Sequence, residues 1–397
     1  MRLIRKNSLF VTVLTVLALA AGLAQANTLR AEETGGKPRK PLLEQTFEKT
    51  QADWMVFGNA AQVRVTTDAA HVKNGKGALA VDYQIVSGQF GVALLPLPEG
   101  ALAGMKQLRF WLQTDSVAPV AVLFSERKPG GGNYSTLVWT PKDVWQQIEL
   151  VPEDFAPTEG PTDPVDPNHK LDMDQVENIS IIDLGQLFAQ AGGQSDVPVT
   201  LDKRLGAHSL YIDDLQALPE APSRPPAGGK GVVIDDFHRG FLSWLTVGGM
   251  EFFLDASGKP LAGRALQASY EQAPGTFAVI SRTLPEVDLR GTDRLTFDIA
   301  STVRAQLLVA VELHKPGGQG PRFNTTIEVP GGQQPLHQEI VFANMTADPK
   351  SPTAPEGKLD PTLIKSLSLI DITAAFGAGQ GKTTIWIGNV RAEGPGS

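Results

Sequence analysis

The sequence predicts an all-β protein made of two tandem β-sandwich domains. The first reason is an internal repeat: residues 171–188 reappear as residues 359–376, with the same Leu-Asp start, the same aliphatic-Ser-aliphatic-Ile-Asp centre and the same final Phe. The second reason is the alternation of apolar and polar residues at a period of two, which is typical of half-buried strands. Glycine and proline clusters separate these segments at spacings typical of sandwiches.

The chain begins with a predicted signal peptide, residues 1–26. Arg2, Arg5 and Lys6 form its basic start, an apolar run follows, and Ala24-Gln25-Ala26 is a small-residue cleavage site. A signal anchor that stays in the membrane is the alternative, but the apolar run is shorter than the roughly 20 residues that a span needs. We therefore expect a secreted or periplasmic protein with no membrane attachment after cleavage.

Two polar segments separate the predicted folded parts. Residues 27–41 read as a disordered spacer, and the Pro- and Gly-rich residues 219–231 read as an interdomain linker. They leave residues 42–218 as domain 1 and residues 232–395 as domain 2, each within the usual size of a domain.

Composition excludes several classes of function. The formal net charge is −8, which argues against nucleic acid or an anionic membrane as a partner, since both favour a cationic surface. The chain has no cysteine, and this removes disulfides, thiol nucleophiles and thiolate metal sites. Without disulfides, each copy of the repeat has to be stabilised by its own apolar core.

The repeat extends along both domains in the same order. Leu108, Phe110 and Leu112 alternate with polar or outward residues, and Leu295, Phe297 and Ile299 do the same in the second copy. Further strands are predicted at residues 90–95, 120–124, 136–139, 147–151, 180–184 and 209–217. Each copy is expected to form about eight to ten strands in two antiparallel sheets, a jelly roll whose first and last strands pair.

The ordered motifs resemble a known family. Copy one carries Phe47-Glu48, Trp54, Gly77-Ala78-Leu79 and Tyr211-Ile212-Asp213-Asp214, and copy two repeats this order from Ile234-Asp235-Asp236-Phe237 onward. Together they are similar to the galactose-binding-like jelly rolls of carbohydrate-binding modules, nearest family 11, and to the domain of the complex I intermediate-associated protein 30. The resemblance implies a polysaccharide or glycan partner. Such modules usually accompany a catalytic domain, for which this chain has no room.

The resemblance also implies a structural calcium in domain 1. The matching residues are Glu48, the carbonyls of the Asn74-Gly75-Lys76 turn, and Asp213 or its neighbour Asp214. Calcium prefers six to eight oxygen ligands, which carboxylates and carbonyls supply. His238 and Gly388 replace both carboxylates in copy two, where Asp235, Asp236 and Asn389 are an alternative set. The other interpretation is that Glu48 and Asp213 are ordinary carboxylates at strand ends.

Sugar binding needs an aromatic platform beside planar polar groups. On one outer sheet of domain 1 we expect such a site, with packing of the aromatic residues as the alternative. Its predicted members are Arg109, Trp111, Gln113, Arg127, Tyr134 and Trp139. The candidates in domain 2 are Tyr270, His314, Arg322 and Phe323.

No catalytic constellation is found in the sequence. The glycine-rich residues 377–383 lack the first glycine of a phosphate-binding loop and precede a strand, so they read as a hairpin. Asp183 and Asp371 recur at matched positions, where a buried strand carboxylate is more often structural than catalytic. The sequence favours a non-catalytic carbohydrate-binding protein, with an envelope scaffolding protein that binds protein partners as the alternative.

Overall fold

A computed structural model describes most of the chain beyond the predicted signal and spacer. It describes residues 40–49, 52–59, 61–86, 89–127, 129–158, 166–168, 170–186, 204–222, 231–240, 242–247, 250–255, 259–275, 277–284, 287–315, 320–354, 357–376 and 381–395. The predicted signal peptide, almost all of the spacer and most of the linker lie outside these residues. None of the described residues belongs to a helix long and apolar enough to cross a membrane.

Backbone contacts divide the chain into two units. Every described residue up to 222 belongs to the first unit, and every described residue from 231 onward belongs to the second. We call these units domain 1 and domain 2.

Domain 1 contains twelve strands in its described part, more than the eight to ten that the sequence predicts, because short edge strands add to the count. They are β1 (Leu43–Gln45), β2 (Met55–Gly58), β3 (Ala61–Thr66), β4 (Ala78–Ile85), β5 (Gly91–Pro96), β6 (Gln107–Thr114), β7 (Ala118–Glu126), β8 (Asn133–Thr140), β9 (Gln146–Leu150), β10 (Ala156–Pro157), β11 (Val176–Asp183) and β12 (Gly206–Leu218).

Domain 2 also contains twelve strands among its described residues. They are β13 (Val232–Asp235), β14 (Trp244–Val247), β15 (Glu251–Asp255), β16 (Ala265–Gln272), β17 (Ala278–Thr283), β18 (Arg294–Ser301), β19 (Ala305–Leu313), β20 (Arg322–Val329), β21 (Leu336–Val341), β22 (Thr346–Ala347), β23 (Ile364–Asp371) and β24 (Gly381–Glu393).

The strands of each domain form two six-stranded antiparallel sheets. In domain 1, sheet A has the order β3-β4-β12-β6-β9 with β1 beside β12, and sheet B has the order β10-β8-β7-β11-β5-β2. In domain 2, sheet C (β15-β16-β24-β18-β21 with β13) and sheet D (β14-β17-β23-β19-β20-β22) repeat these orders strand for strand. The predicted pairing of first and last strands is confirmed in both domains.

The repeat extends to irregular backbone positions. Phe47 and Phe237 both have a positive φ, of 57° and 59°, and so do Asp214 and Asn389, at 47° and 50°. Asp214 and Asn389 each lie at a bulge between the last strand and its neighbour, β6 or β18. Non-glycine residues rarely adopt this conformation, so its recurrence supports one fold formed twice.

The core of each domain lies between its two sheets. Alternate side chains of β4, β6 and β12 are fully buried, as are those of β7 and β11 in the facing sheet, and Leu79, Phe110 and Val122 are 0% exposed. Phe237, Trp244 and Phe297 are equally buried in domain 2. We refer to the side of a sheet turned away from this core as its outer face.

Candidate functional site

The outer face of sheet A carries three of the predicted sugar-binding residues. Arg109, Trp111 and Gln113 alternate along β6 with the core residues Phe110 and Leu112. Since β6 lies between β12 and β9, Trp111 is paired with Asp213 on one side and with Gln147 on the other. The alternation in the sequence therefore predicted the orientation of these three side chains correctly.

A loop between β3 and β4 lies on this outer face and covers part of it. We call residues 67–77 the covering loop. The ring of His71 stacks on the ring of Tyr211, with centroids 3.9 Å apart and planes at 5°. The His71 Nδ1 atom also lies 2.9 Å from the Oε1 atom of Gln113. Gln113 is only 5% exposed and contacts His71 of this loop, so the loop covers it, and its role as a ligand residue stays a prediction.

Trp111 remains half-buried at the edge of the covering loop. The ammonium group of Lys73 lies over the indole, 4.3 Å from the ring centroid. Arg109 lies two residues before Trp111 on the same face of β6 and donates from Nη2 to the Gln216 Oε1 atom at 2.7 Å. Trp111 and the planar side chain of Arg109 therefore lie on the same face, and the exposed Lys73 rests on one face of the indole.

The other three predicted ligand residues lie in the opposite sheet. Tyr134 and Trp139 are on β8 of sheet B, where they are 1% and 7% exposed. The Tyr134 hydroxyl faces the core side and donates to Asp166, and burial raises its pKa. Arg127 follows β7 and donates to the Leu97 carbonyl at 2.8 Å. The prediction of one six-residue site is wrong, because the hairpin that carries these residues belongs to sheet B.

The two predicted calcium ligands do meet at one turn. The Asp213 Oδ2 atom accepts the N–H groups of Lys73 and Asn74, each at 2.9 Å, and Oδ1 accepts the N–H of Asp214 at 2.8 Å. The Glu48 Oε1 atom accepts the N–H of Lys76 at 2.9 Å.

This donor set does not fit a cation as it stands, because N–H groups point at the oxygens that calcium would need. Burial raises the pKa of Asp213 in spite of these N–H bonds, which is the behaviour of a buried carboxylate held by amides. The calcium ion in domain 1 stays a prediction, and no step of the proposed function depends on it.

The alternative calcium set of domain 2 is occupied by side-chain partners. Asp235 is 8% exposed and accepts the indole N–H of Trp244 at 2.7 Å and the Nε–H of Arg282 at 3.0 Å. Asn389 accepts the Nε–H of Arg391 at 2.7 Å. Across the described residues, no group of three or more acidic or histidine side chains is arranged to hold a metal ion.

A cavity of about 460 Å³ opens on the outer face of sheet A, at the other end of β12 from Trp111. Along β12 the outward residues are Ser209, Tyr211 and Asp213, so the stacked His71 and Tyr211 rings lie between the cavity and Trp111 along this strand. The cavity is lined by Asn59, Ala61, Gln62, Asp82, Tyr83, Gln84, Asp115, Ala207, His208 and Ser209.

Ser209 joins the two carboxylates of the cavity. Its hydroxyl donates to Asp82 at 2.7 Å, and its backbone N–H donates to Asp115 at 2.8 Å. Arg64 donates to the other side of Asp82 at 2.8 Å. His208 lies between two acceptors, with Nδ1 at 3.0 Å from Asp115 and Nε2 at 2.7 Å from the Arg204 carbonyl.

These contacts shift the pKa values of His208 and Asp115. The hydrogen bond to Asp115 raises the pKa of His208 and outweighs the opposing effect of burial. Burial would raise the pKa of Asp115, but the hydrogen bonds from His208 and Ser209 lower it overall. Both shifts favour a protonated His208 paired with an ionised Asp115.

Ser209, His208 and Asp115 do not form a nucleophilic triad. In such a triad the histidine accepts the proton of the serine. Here the Ser209 hydroxyl donates to Asp82, and both ring nitrogens of His208 face other acceptors. The arrangement is suited to binding hydroxyl groups rather than to activating a nucleophile.

Sequence reasoning missed the residues of this cavity. Asp82 and His208 lie in strands that also carry other polar residues, and Asp115 lies in the connection between β6 and β7, so none of the three stands out in the sequence. The useful signal was a difference between the copies, because domain 2 has Ser269 and Thr302 at the positions of Asp82 and Asp115.

The outer face of sheet C in domain 2 offers no matching platform among the described residues. Asp298 replaces Trp111 and contacts His337 at 2.7 Å. Trp386, the counterpart of Tyr211, is 7% exposed and packs with Leu261, Ala265 and Ala300. The other candidates are occupied: Tyr270 and Phe323 are buried, and Arg322 pairs with Asp348 at 2.9 Å. His314 stays a prediction.

The recurring aspartates are structural, as the sequence analysis favoured. Asp183 is 0% exposed and accepts the Tyr83 hydroxyl at 2.5 Å and a two-point contact from Arg204. Asp371 accepts the Tyr270 hydroxyl and the Gln272 amide. Each pair ties the two facing sheets of its domain together through one tyrosine–carboxylate hydrogen bond.

Comparisons with known proteins give structural neighbours only. No family model matches the sequence, and no curated protein is similar enough to count as a relative. The family 11 carbohydrate-binding module of a cellulosomal cellulase of Clostridium thermocellum is 18% identical over 42% of this chain and 97% of its own, with a TM-score of 0.33. The same kind of module was also solved with a β-1,3-1,4-mixed-linked tetrasaccharide, at 18% identity and a TM-score of 0.33, over 42% of this chain and 98% of its own.

A tandem structure spans both domains. The N-terminal tandem domain of two CBM22 modules of Paenibacillus barcinonensis Xyn10C covers 92% of this chain and 100% of its own, at 12% identity and a TM-score of 0.30. These neighbours belong to the class of module that the sequence resembles. The architecture itself follows from the strand pairing described above.

Proposed function

We propose that this is an exported, non-catalytic protein that binds polysaccharide through the outer face of sheet A in domain 1. The observation that carries the proposal is the half-buried Trp111 in the middle of that face, with Arg109 and Gln147 beside it. An indole packs against the apolar face of a pyranose ring, while guanidinium and amide groups bind its hydroxyls.

Lys73 is compatible with this role. Its ammonium group is exposed and rests on the indole, an interaction worth about 0.5–1 kcal/mol at an exposed site. A sugar ring can therefore replace it at small cost.

Several features support a non-catalytic role. A glycosidase of the usual type needs a carboxylic acid whose pKa is raised, so that it can protonate the leaving oxygen. The pKa of Asp115 in the cavity is lowered instead, and Asp213, whose pKa burial raises, has both carboxylate oxygens bound by backbone N–H groups. Asp183 and Asp371 are committed to buried hydrogen bonds with tyrosines.

Export rests on the basic start, apolar run and small-residue cleavage site of residues 1–26. Cell fractionation combined with sequencing of the mature N-terminus tests it. An N-terminus at or near Asn27 in the secreted or periplasmic fraction would support export, and an intact Met1 in the cytoplasm would contradict it.

Affinity electrophoresis on soluble glycans and pull-down on insoluble ones test the main proposal. We expect the protein to be retained by at least one glycan and Trp111→Ala to lose that retention. The matched control is Phe57→Ala, because Phe57 is a 64% exposed aromatic residue of sheet B in the same domain. Equal retention of the wild type and Trp111→Ala would remove Trp111 from the site.

One observation favours a second candidate, an envelope protein that binds a protein partner. The outer face of sheet B has an apolar cluster of Ala121, Ile182 and Leu184, with Val92 packed against it. The exposed Phe57 on the edge strand β2 is paired with Val92 and extends this surface. The three cluster residues are themselves 5–7% exposed, so Phe57 is the part of this surface that is open to a partner. This candidate predicts that Phe57→Asp abolishes cross-linking to an envelope protein and leaves glycan retention unchanged.

A further inference from the structure

The cavity on sheet A contains a hydrogen-bond framework that occurs in both domains. In domain 1, Ser209 on β12 donates from its hydroxyl to Asp82 on β4 and from its backbone to Asp115. In domain 2, Thr384 on β24 bonds through its hydroxyl to Ser269 at 2.9 Å and donates its backbone N–H to Thr302 at 3.0 Å. Strand pairing places Ser209 opposite Asp82 and Thr384 opposite Ser269, so the positions are equivalent.

The comparison shows that the fold does not need the two carboxylates. Hydroxyl groups make the same bonds in domain 2 without the desolvation that a half-buried charge requires. His208 has no charged counterpart in domain 2 either, because the equivalent Thr383 is uncharged and 1% exposed. The charged groups of domain 1 therefore have a role other than holding β12 against its neighbours.

Both carboxylates of the cavity are paired with a basic side chain. Asp82 is paired with Arg64 at 2.8 Å, and Asp115 is paired with His208 at 3.0 Å. An anionic ligand would meet two carboxylates, and a cationic ligand would have to compete with partners already in place. A neutral ligand with many hydroxyl groups can donate to the remaining lone pairs of both carboxylates.

The rest of the lining suits such a ligand. The amides of Asn59, Gln62 and Gln84 each supply donors and an acceptor, and all three residues are exposed at the cavity. The volume of about 460 Å³ lies within the range of small-molecule sites. The His71–Tyr211 stack separates the cavity from Trp111, at roughly 13 Å along β12 from Ser209 to Asp213.

We infer that this cavity is a second binding subsite, specific for a neutral sugar residue, that domain 1 has and domain 2 lacks at the equivalent described positions. The inference rests on the proposed polysaccharide-binding function and adds the ligand class and a site apart from Trp111. Arg64, Ser209 and His208 hold one side of the two carboxylates and leave the other side to accept hydroxyl donors. The carboxylates are therefore oriented before the ligand arrives.

The test transfers the residues of domain 2 into domain 1 of the full chain. Asp82→Ser with Asp115→Thr keeps a hydroxyl for each bond to Ser209, so the domain is expected to fold. Gln62→Ala with Gln84→Ala is a second variant that changes only exposed lining residues. Binding is measured by calorimetry and affinity electrophoresis with soluble mixed-linked β-glucan, xylan, galactan and mannan as neutral probes, polygalacturonate as the anionic probe and chitosan as the cationic probe.

We expect a neutral probe to bind the wild type and the double carboxylate variant to bind it at least about tenfold more weakly, since hydrogen bonds to charged groups are strong. The amide variant should bind the probe several-fold more weakly. The control Arg304→Ala, which removes an exposed ion pair of domain 2, should bind as the wild type does.

The outcomes separate the two proposals. If Trp111→Ala loses binding while both cavity variants keep it, the proposed function stands and the neutral-sugar subsite is refuted. Preferential binding of polygalacturonate or chitosan would also refute the subsite, while leaving polysaccharide binding in place. If the wild type binds none of the six probes, the proposed function fails and the subsite fails with it.

Discussion

The two arginine–aspartate pairs of domain 1 allow a sharp test of how burial changes the value of an ion pair. Arg204 pairs with Asp183, and their side chains are 13% and 0% exposed. Arg64 pairs with Asp82, and their side chains are 53% and 37% exposed. Both pairs join an arginine to a strand aspartate of the same domain, so each serves as the control for the other.

Arg204→Ala is expected to destabilise domain 1 by about 3 kcal/mol, the lower end of the 3–5 kcal/mol seen when one partner of a buried pair is removed. The lower end applies because Asp183 keeps two donors, the Tyr83 hydroxyl and the Gly185 N–H at 2.7 Å. Arg64→Ala is expected to change the free energy of unfolding by less than about 1 kcal/mol, since solvent screens an exposed pair.

Urea unfolding followed by tryptophan fluorescence measures both effects. With a typical slope of 1–3 kcal/mol per molar urea, Arg204→Ala should lower the midpoint of the domain 1 transition by roughly 1–3 M. The double variant Arg204→Ala with Asp183→Asn should recover part of this loss, because no unpaired charge is then buried. Equal midpoint shifts for Arg204→Ala and Arg64→Ala would refute the reasoning.

Three further predictions concern sheet A and its covering loop. Lys73→Ala should tighten glycan binding by up to about fivefold, because the ligand no longer displaces an ammonium group worth 0.5–1 kcal/mol; weaker binding in calorimetry would show that Lys73 contacts the sugar. The raised pKa of His208 predicts that its contribution to stability is complete below about pH 6.5 and is lost as the pH rises through the folded-state pKa. Thermal midpoints from pH 5 to 9 should therefore lose part of their alkaline decline in His208→Thr, and an unchanged profile would contradict this. A calcium ion bound at Asp213 would raise the thermal midpoint in a chelator-reversible way, and Asp213→Asn should then abolish the shift; identical midpoints with calcium and with chelator would rule the ion out.

Because the chain contains the same fold twice, equivalent positions of the two domains can be compared. The tyrosine–carboxylate bond between the sheets occurs in both domains, as Tyr83 with Asp183 and as Tyr270 with Asp371. The second side chain that donates to this carboxylate differs between the domains. It is Arg204 in domain 1 and Gln272 in domain 2. Features present in both copies belong to the fold, whereas Asp82, Asp115 and Trp111 occur in one copy and are candidates for function.

The expectation that the six predicted residues share one sheet was half right for a physical reason. Alternation along β6 places Arg109, Trp111 and Gln113 on one face, and the sequence contains that alternation. It does not contain the sheet to which the next hairpin belongs, so Tyr134 and Trp139 were assigned to the wrong surface. The sequence also did not predict the burial of Gln113, because the covering loop that packs on it is more than thirty positions away in the chain.

By itself, the sequence determined the all-β class, the duplication, the strand positions and the pairing of the first and last strands in each copy. These depend on periodicity and on order along the chain, which are local properties. Only the tertiary structure decided that Asp82, Asp115 and His208 surround one cavity, and that amide N–H groups bind Asp213. Such contacts depend on the register between strands distant in sequence, and a register is set by the packing of the whole sheet rather than by any single segment.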